Sequence, residues 1–364
     1  MAVKRALWFA LVLCLAFMPV FAQESGKDFE FTFFGPRFYS FFPSGADFKL
    51  SYSGLDFGLD GNTELVLVAG GGYQEITFPR DPANGNTVLA EQFASFPSPN
   101  FQWDLGLVQG LARRPNGANL VELFLFYRGR LDLYNNDLSA TVFADMQGLF
   151  GTSFLTGASF STVSRSVHRL RSGLFVEGSA EWAPAFLNAK SDFWRVSGQA
   201  RAYVPLFDLP NDGKNLLSMY IAAFLGADYA DGASVPLYVQ RSFGGRYLRG
   251  SLGDSIRGYA HSSFDTSFKL ASSLELRLLG PALFLPSIVP FLYGFVDAGY
   301  LSGYWGTSRD ATVSGSLASA GGAIGVDLFD FAQLHFIMGS RLIDDGVYGL
   351  QPGMFMRMGI FFHF

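Results

Sequence analysis

Apolar and polar residues alternate along most of the chain with a period of two, over segments of about ten residues. In the last segment every second residue from Met354 to Phe364 is apolar, whereas Arg357, Gly359 and His363 fall on the other face. Gly, Asn, Asp and Pro residues separate the segments. The pattern predicts fourteen strands, near 48–57, 63–77, 100–113, 119–133, 138–149, 153–165, 171–182, 193–206, 215–229, 268–279, 289–301, 316–328, 331–343 and 354–364. A further pair within 29–45 or 79–99 would give sixteen.

Two architectures produce this alternation. A secreted sandwich turns its apolar face inward, whereas a membrane barrel turns it outward, toward lipid. The barrel is favoured because the strands are long for a sandwich and the polar faces carry many charges. A sheet edge cannot be exposed to lipid, so the sheet must close. We therefore predict an all-β fold, a transmembrane antiparallel β-barrel over 48–364, and keep the sandwich as the alternative.

The N-terminus predicts export. Lys4 and Arg5 precede an apolar run, and Val20-Phe21-Ala22 ends in a small residue, which is typical of a signal peptide over 1–22. Cys14 lies inside this run, without the small residues that would mark a lipid anchor. The 23–47 stretch is shorter than the ~40 residues that an unaided domain needs. These features predict the outer membrane of a bacterium with a two-membrane envelope.

Composition excludes several classes of function. Only 16% of the residues are charged and the net charge is −5, so no basic surface for nucleic acid is expected. The four histidines have no partner at metal-binding spacing, and no phosphate-binding Gly-x-x-x-x-Gly-Lys motif is present. A phospholipase pair built from His261 or His335 and a nearby serine has no recognisable motif. The sequence therefore predicts neither an enzyme nor a bound cofactor.

The C-terminal residues predict a recognition signal. Arg357, Gly359, Phe362 and the terminal Phe364 have the spacing of the β-signal of outer-membrane barrels. In that mechanism the last strand pairs through its backbone with the membrane insertion machinery, and alternate side chains enter pockets. An ordinary amphipathic strand that ends in Phe is the alternative interpretation.

A Gly- and Arg-rich loop over 231–261 lies between two strong strand patterns. Its arginines are numerous for a chain with so few charges: Arg241, Arg246, Arg249 and Arg257. On the strands that follow, Glu275 and Asp297 fall on the inward face, because a carboxylate facing lipid would be costly. A loop folded into the lumen can place a bidentate arginine between these two carboxylates.

The residues Arg257-Gly258-Tyr259, Glu275 and Phe295-x-Asp297-x-Gly299 resemble the signature of the BamA superfamily, which includes BamA, TamA and the two-partner secretion transporters and is also called the bacterial surface antigen family. The resemblance implies sixteen strands, five of them after the loop, and a lumen loop locked by Arg257, Glu275 and Asp297. Relatives carry periplasmic POTRA domains before the barrel, and here none is expected before the first strand.

The resemblance implies a role in outer-membrane assembly, by aiding the insertion or translocation of protein or lipid. The expected partners are membrane lipid, lipopolysaccharide or an equivalent outer-leaflet lipid, a client barrel or a separate periplasmic protein, and the assembly machinery. Two alternatives stay open. One is a passive pore or solute transporter, and the other is a surface-exposed adhesive barrel.

Overall fold

The structure is a computed structural model. It describes residues 29–39, 42–55, 62–78, 80–81, 87–88, 94–133, 148–165, 170–211, 214–246, 250–259, 264–283, 285, 288–305, 308–328, 332–345, 347 and 350–362. The predicted signal peptide over 1–22, Arg249, His261 and Phe364 therefore lie outside the described residues. In the described ranges, no helix combines the length and the apolar character required to cross a membrane.

Seventeen strands and two short helices make up the described fold. The strands are β1 (Phe29–Tyr39), β2 (Phe42–Leu55), β3 (Thr63–Phe78), β4 (Arg80–Asp81), β5 (Thr87–Val88), β6 (Ala94–Arg113), β7 (Asn119–Leu133), β8 (Gly148–Ser161), β9 (Ser164–Arg165), β10 (Arg171–Ala183), β11 (Asp192–Asn211), β12 (Lys214–Ser234), β13 (Thr266–Leu279), β14 (Ile288–Trp305), β15 (Ser308–Leu328), β16 (Ala332–Arg341) and β17 (Gly353–Phe362). The helices are α1 (Leu237–Arg241) and α2 (Leu252–Ser255).

One large antiparallel sheet contains fifteen of the strands, and fourteen form a continuous path in the order β1-β2-β3-β6-β7-β8-β10-β11-β12-β13-β14-β15-β16-β17. The short β9 pairs with β10, and β4 and β5 form a separate two-stranded sheet. Strands that follow one another along the path are hydrogen bonded, which is the meander that the alternating pattern predicts. β1 and β17 are the two ends of the path among the described residues.

The strand count differs from the sixteen that the family resemblance implies. Fourteen strands form the path through the described residues, which is the alternative count. β7 pairs directly with β8, so no strand separates them, and the strand predicted at 138–149 falls almost entirely on residues outside the description. The sheet also begins at Phe29, before the predicted boundary at 48.

The two faces of the sheet have opposite character. On β13, Leu274 and Leu276 are 55% and 48% exposed, whereas Lys269 on the other face is completely buried. The same holds on the last strand, where Met354 is 70% exposed. A sandwich would bury the apolar face, so this arrangement excludes the alternative fold. The apolar face is directed outward, as in proteins that contact lipid.

The connections between strands differ at the two ends of the sheet. The longest connection, 235–265, joins β12 to β13 at one end, which we call the segment end. The short connections from β6 to β7, from β11 to β12 and from β15 to β16 lie at the opposite end, which we call the turn end, because successive strands are antiparallel. Five strands, β13 to β17, follow the 235–265 segment, as the resemblance implies.

Candidate functional site

The 235–265 segment packs against the polar face of the sheet. It contains α1 and α2, and the side chain of Ser251 accepts a hydrogen bond from the backbone N–H of Asp254 to cap α2. Apolar side chains of the segment form one buried cluster with β13, β14 and β15: Phe243, Leu252, Ile256, Tyr259, Phe264, Ala271, Leu301 and Leu317. The cluster gives the segment an apolar contact on a face that also carries many charges.

Arg257 bridges the two carboxylates that the sequence places on the inward face. Asp297 accepts three hydrogen bonds from Arg257, from the backbone N–H at 2.9 Å, from Nε at 2.7 Å and from Nη2 at 2.7 Å. Nη1 of the same guanidinium lies 2.7 Å from Oε1 of Glu275. Ser273 accepts a further hydrogen bond from Nη2 at 2.6 Å. Every part of the planar guanidinium therefore has a partner on β13 or β14.

The surroundings of Arg257 favour its charged form. Its guanidinium carbon lies 3.9 Å from the centre of the Phe295 ring, a distance at which the ring attracts a cation. Burial alone would lower the pKa of Arg257, but the hydrogen bonds to Asp297 and the charge of Glu275 raise it above its ordinary value. The arginine is thus a permanently charged anchor, as its hydrogen-bond geometry requires.

The residues around Arg257 also match the predicted set. Gly258 has a φ of +93°, and a Cβ atom at this position would lie 2.6 Å from Cε1 of Phe355 on β17. Tyr259 is buried, and its hydroxyl lies 3.2 Å from the backbone oxygens of Ala318 and Ile343. A Cβ atom on Gly299 would lie 3.0 Å from Cγ1 of Ile256. The two glycines therefore allow the segment to approach the sheet closely.

A second arginine fixes the other half of the segment, and sequence analysis did not assign its partners. Nη2 of Arg246 lies 2.6 Å from Oε2 of Glu122 on β7 and 3.1 Å from the hydroxyl of Ser159 on β8. The backbone N–H of Arg246 donates to Oε1 of Glu177 on β10 at 2.8 Å. Phe124 lies under the guanidinium at 4.7 Å. The segment thus contacts strands on both sides of β11 and β12.

Six charged side chains of alternating sign run across the polar face beneath Ser242 and Gly245. We call this row, Asp104, Arg128, Glu181, Arg195, Asp228 and Lys269, the ionic chain. Its successive N–O distances are 2.8, 3.3, 3.9, 2.7 and 3.0 Å, and it crosses β6, β7, β10, β11, β12 and β13. Charges at this depth are tolerated only when they are paired and hydrogen bonded.

The ionic chain also binds the backbone of the segment. The backbone N–H of Gly244 donates to Asp228 at 2.8 Å, and Arg128 donates to the backbone oxygen of Gly245 at 3.2 Å. Gly245 has a φ of +95°, and a Cβ atom there would lie 2.8 Å from the Glu177 carboxylate. The Gly244-Gly245 pair is therefore required by close packing.

The C-terminal residues are only partly described. Arg357 is exposed on β17, and Gly359 is paired with His335 of β16. Phe362 is the last residue of β17, whereas Phe364 lies outside the description, so the β-signal stays a prediction. His335 packs edge-on against Phe291 and Tyr293 at 6.3 Å. In the described part of the chain, no group of three or more His, Cys, Asp or Glu side chains could hold a metal ion.

Comparison with known protein families shows to which family this chain belongs. Residues 128–345 match the model of the Omp85 superfamily domain, and this range is more than half of the chain. The chain belongs to the Omp85 superfamily. BamA is a member, so the resemblance read from Arg257, Glu275 and Asp297 is confirmed at the level of the family. Omp85 barrels reside in outer membranes and are in general non-enzymatic.

A solved structure is also similar to this chain, but more weakly than the family match. The crystal structure of BamA from Haemophilus ducreyi lacking POTRA domains 1–3 is 16% identical, with a TM-score of 0.48, and the match covers 87% of this chain and 62% of that chain. No match was found among curated proteins.

Proposed function

We propose that this Omp85 protein aids outer-membrane assembly, by helping a protein or lipid to insert into the membrane or to cross it. The observation that carries the proposal is the anchoring of Arg257 to Glu275 and Asp297, which holds the 235–265 segment on the sheet. Family membership supports it, because the relatives that share this signature have assembly roles. Membership of the Omp85 superfamily does not depend on this proposal.

The mechanism that we propose uses the two ends of the strand path. We propose that β1 and β17, the two ends of the path, meet at a seam that is weaker than the internal pairings. A weak seam exposes backbone N–H and C=O groups that can template an incoming strand. Gly359 supports this idea, because glycine weakens a strand interior. The anchored segment keeps the neighbouring strands β13 and β14 rigid while the seam opens.

The proposed partners follow from this mechanism. The exposed apolar face contacts membrane lipid and lipopolysaccharide or an equivalent outer-leaflet lipid. A client barrel pairs at the seam, and a separate periplasmic protein delivers the client. Arg357, Gly359, Phe362 and Phe364 are the signal by which the assembly machinery inserts this chain itself.

Depletion of the protein in its own organism, followed by quantitative proteomics of the outer membrane, tests the proposal. We expect other barrels to decrease together while periplasmic proteins keep their levels. Re-expression of the natural chain should restore the barrels, and Arg257→Ala should restore them only in part. Arg113→Ala is the matched control, because Arg113 is exposed and contacts Asn62, the residue before β3, at the opposite end of the sheet from the segment. An unchanged outer-membrane proteome after depletion would reject an assembly role.

The passive pore is the second candidate, and the ionic chain counts against it. The ionic chain and the 235–265 segment occupy the polar face at the segment end, where an open pore needs free space. Steady conductance of the natural protein in planar bilayers, together with an unchanged proteome, would favour the pore. Binding of host ligands by the surface loops, without either effect, would favour the adhesive barrel.

A further inference from the structure

A pocket at the turn end of the polar face contains arginine side chains that the proposed function does not use. Arg165, Arg171 and Arg277 line it, together with Tyr220, Leu279 and Phe291. It lies where β10 begins and β13 ends, at the opposite end of the sheet from the 235–265 segment. It is therefore distinct from the Arg246 anchor and adjoins the Arg257 anchor only through Glu275, which Arg277 and Arg257 share.

The pocket has more positive than negative charge. Asp327 is the acid in its lining, and Oδ2 of Asp327 lies 3.8 Å from Nη2 of Arg165. Arg277 contacts Glu275 through Nε, but Glu275 is shared with Arg257. Among the described residues, three guanidinium groups thus converge where one carboxylate lines the pocket. An anion would balance this excess charge.

Arg171 is the clearest indication of a ligand. Elsewhere on the polar face, Arg128, Arg195 and Arg246 each form an ion pair with a carboxylate. Within the described ranges, Arg171 has no carboxylate partner: its Nη1 donates to the Tyr203 hydroxyl at 3.5 Å, and its guanidinium lies 5.6 Å from the same ring. These two contacts compensate only in part for the hydration that a half-buried arginine loses, and a bound anion would supply the missing counter-charge.

The side chains that line the pocket indicate what kind of anion they would attract. Tyr220, Leu279 and Phe291 are at most 8% exposed and give it an apolar side next to the arginines. The Tyr220 hydroxyl accepts a 3.5 Å hydrogen bond from Arg277. Guanidinium groups bind phosphate through two parallel hydrogen bonds, and apolar walls suit the carbon atoms beside a charged headgroup.

We propose that this pocket binds the phosphate group of an anionic amphiphile, such as a phospholipid headgroup. Free inorganic phosphate shares the same chemistry and is the other source of the group. The site does not depend on an assembly role, since a pore or an adhesive barrel would hold it equally.

The test measures binding of short-chain phosphatidylglycerol to the full-length folded protein in a zwitterionic detergent, with short-chain phosphatidylcholine as the neutral-headgroup control. We expect saturable binding of phosphatidylglycerol only. Arg171→Gln should weaken it about tenfold or more, because one charged hydrogen-bonding partner is lost. Arg171→Gln breaks no ion pair among the described residues, so the fold should be kept. Arg113→Gln, which removes an exposed arginine at the same end, should bind like the natural protein.

Two further measurements complete the test. Asp327→Asn removes the acid that competes with the ligand, so binding of phosphatidylglycerol should become tighter. Inorganic phosphate is then added as a competitor: displacement at millimolar concentration identifies the phosphate group as the determinant, and no displacement means that the apolar part is also required. The proposal is overturned if Arg171→Gln and Arg113→Gln bind phosphatidylglycerol equally, or if phosphatidylcholine binds as tightly.

Discussion

Nη2 of Arg246 lies 2.6 Å from Oε2 of Glu122, a residue 124 positions earlier in the chain. Arg257, eleven positions after Arg246, reaches Glu275 and Asp297 instead. The 235–265 segment therefore spans the polar face from β7 to β14, with one arginine at each side. The segment is held at two places, so loss of one anchor should leave the other half in position.

This arrangement predicts that the two anchors substitute partly for each other. Arg246→Ala and Arg257→Ala should each increase protease cleavage within 235–265 only moderately, because one anchor remains. The double variant should be cleaved far faster than the sum of the two single effects, since contacts within one network are not additive. Limited proteolysis of the folded protein in micelles measures this, with Arg113→Ala as the control. A double variant no more sensitive than Arg257→Ala would show that Arg246 is not an anchor.

Gly258 and Gly117 form a matched pair for a second prediction. Both have a positive φ, +93° for Gly258 and +83° for Gly117. A Cβ atom at Gly258 would clash with the side chain of Phe355, whereas a Cβ atom at Gly117 would have no neighbouring atom within 4 Å. Gly117→Ala should therefore cost about 1–2 kcal/mol of backbone strain in the free energy of unfolding. Gly258→Ala should cost clearly more, because its Cβ atom also clashes with Phe355. Urea unfolding in micelles compares the two, and equal losses would contradict the close approach to Phe355.

Sequence could predict the Arg257 site because its evidence is local. Alternation along β13 places Glu275 inward, and the residues around Arg257 and Asp297 carry a recognisable family signature. The partners of Arg246 could not be predicted, because Glu122 and Glu177 become neighbours only through the register of strands that are far apart in sequence. The number of arginines in the segment indicates that it requires acidic partners, but it does not identify those partners.

Prolines explain where the predicted strands are too short. The sequence offers 29–45 only as one place for a further strand pair, yet β1, which contains Pro36, is an end strand of the path, where proline is tolerated. β6 begins at Ala94 rather than near residue 100. Pro97 and Pro99 pair with β3, but β7 joins β6 only from Asn100 onward, so these prolines lie where one side of the strand is unpaired.

The ionic chain predicts a large difference between two lysines. Lys269 is completely buried, 3.0 Å from Asp228, whereas Lys49 is 30% exposed and 3.8 Å from Glu64. Lys269→Met leaves a buried carboxylate with one partner fewer, so it should lower the free energy of unfolding by about 3–5 kcal/mol. Lys49→Met should change it by less than about 1 kcal/mol, as exposed pairs do. Urea midpoints of the two variants measure this, and a mild effect at Lys269 would mean that the ionic chain contributes little.

The anchors also predict a change in conductance. In planar bilayers the natural protein should pass little current, because the segment and the ionic chain fill the polar face at the segment end. The Arg246→Ala/Arg257→Ala double variant should open more often. Its current should be carried mainly by cations, because the side chains of Glu122, Glu177, Glu275 and Asp297 each lose a guanidinium partner, which for Glu177 is Nε of Arg246 at 3.5 Å.

A variant without charge change separates release of the segment from the new electrostatics. Leu252→Ala/Tyr259→Ala removes two buried apolar contacts of the segment but leaves both arginines, so it should raise conductance with less preference for cations. Reversal potentials in a salt gradient distinguish the two variants. If the double arginine variant conducts no more than the natural chain, the segment does not obstruct the barrel. If it conducts without cation preference, the four carboxylates do not line the path of the ions.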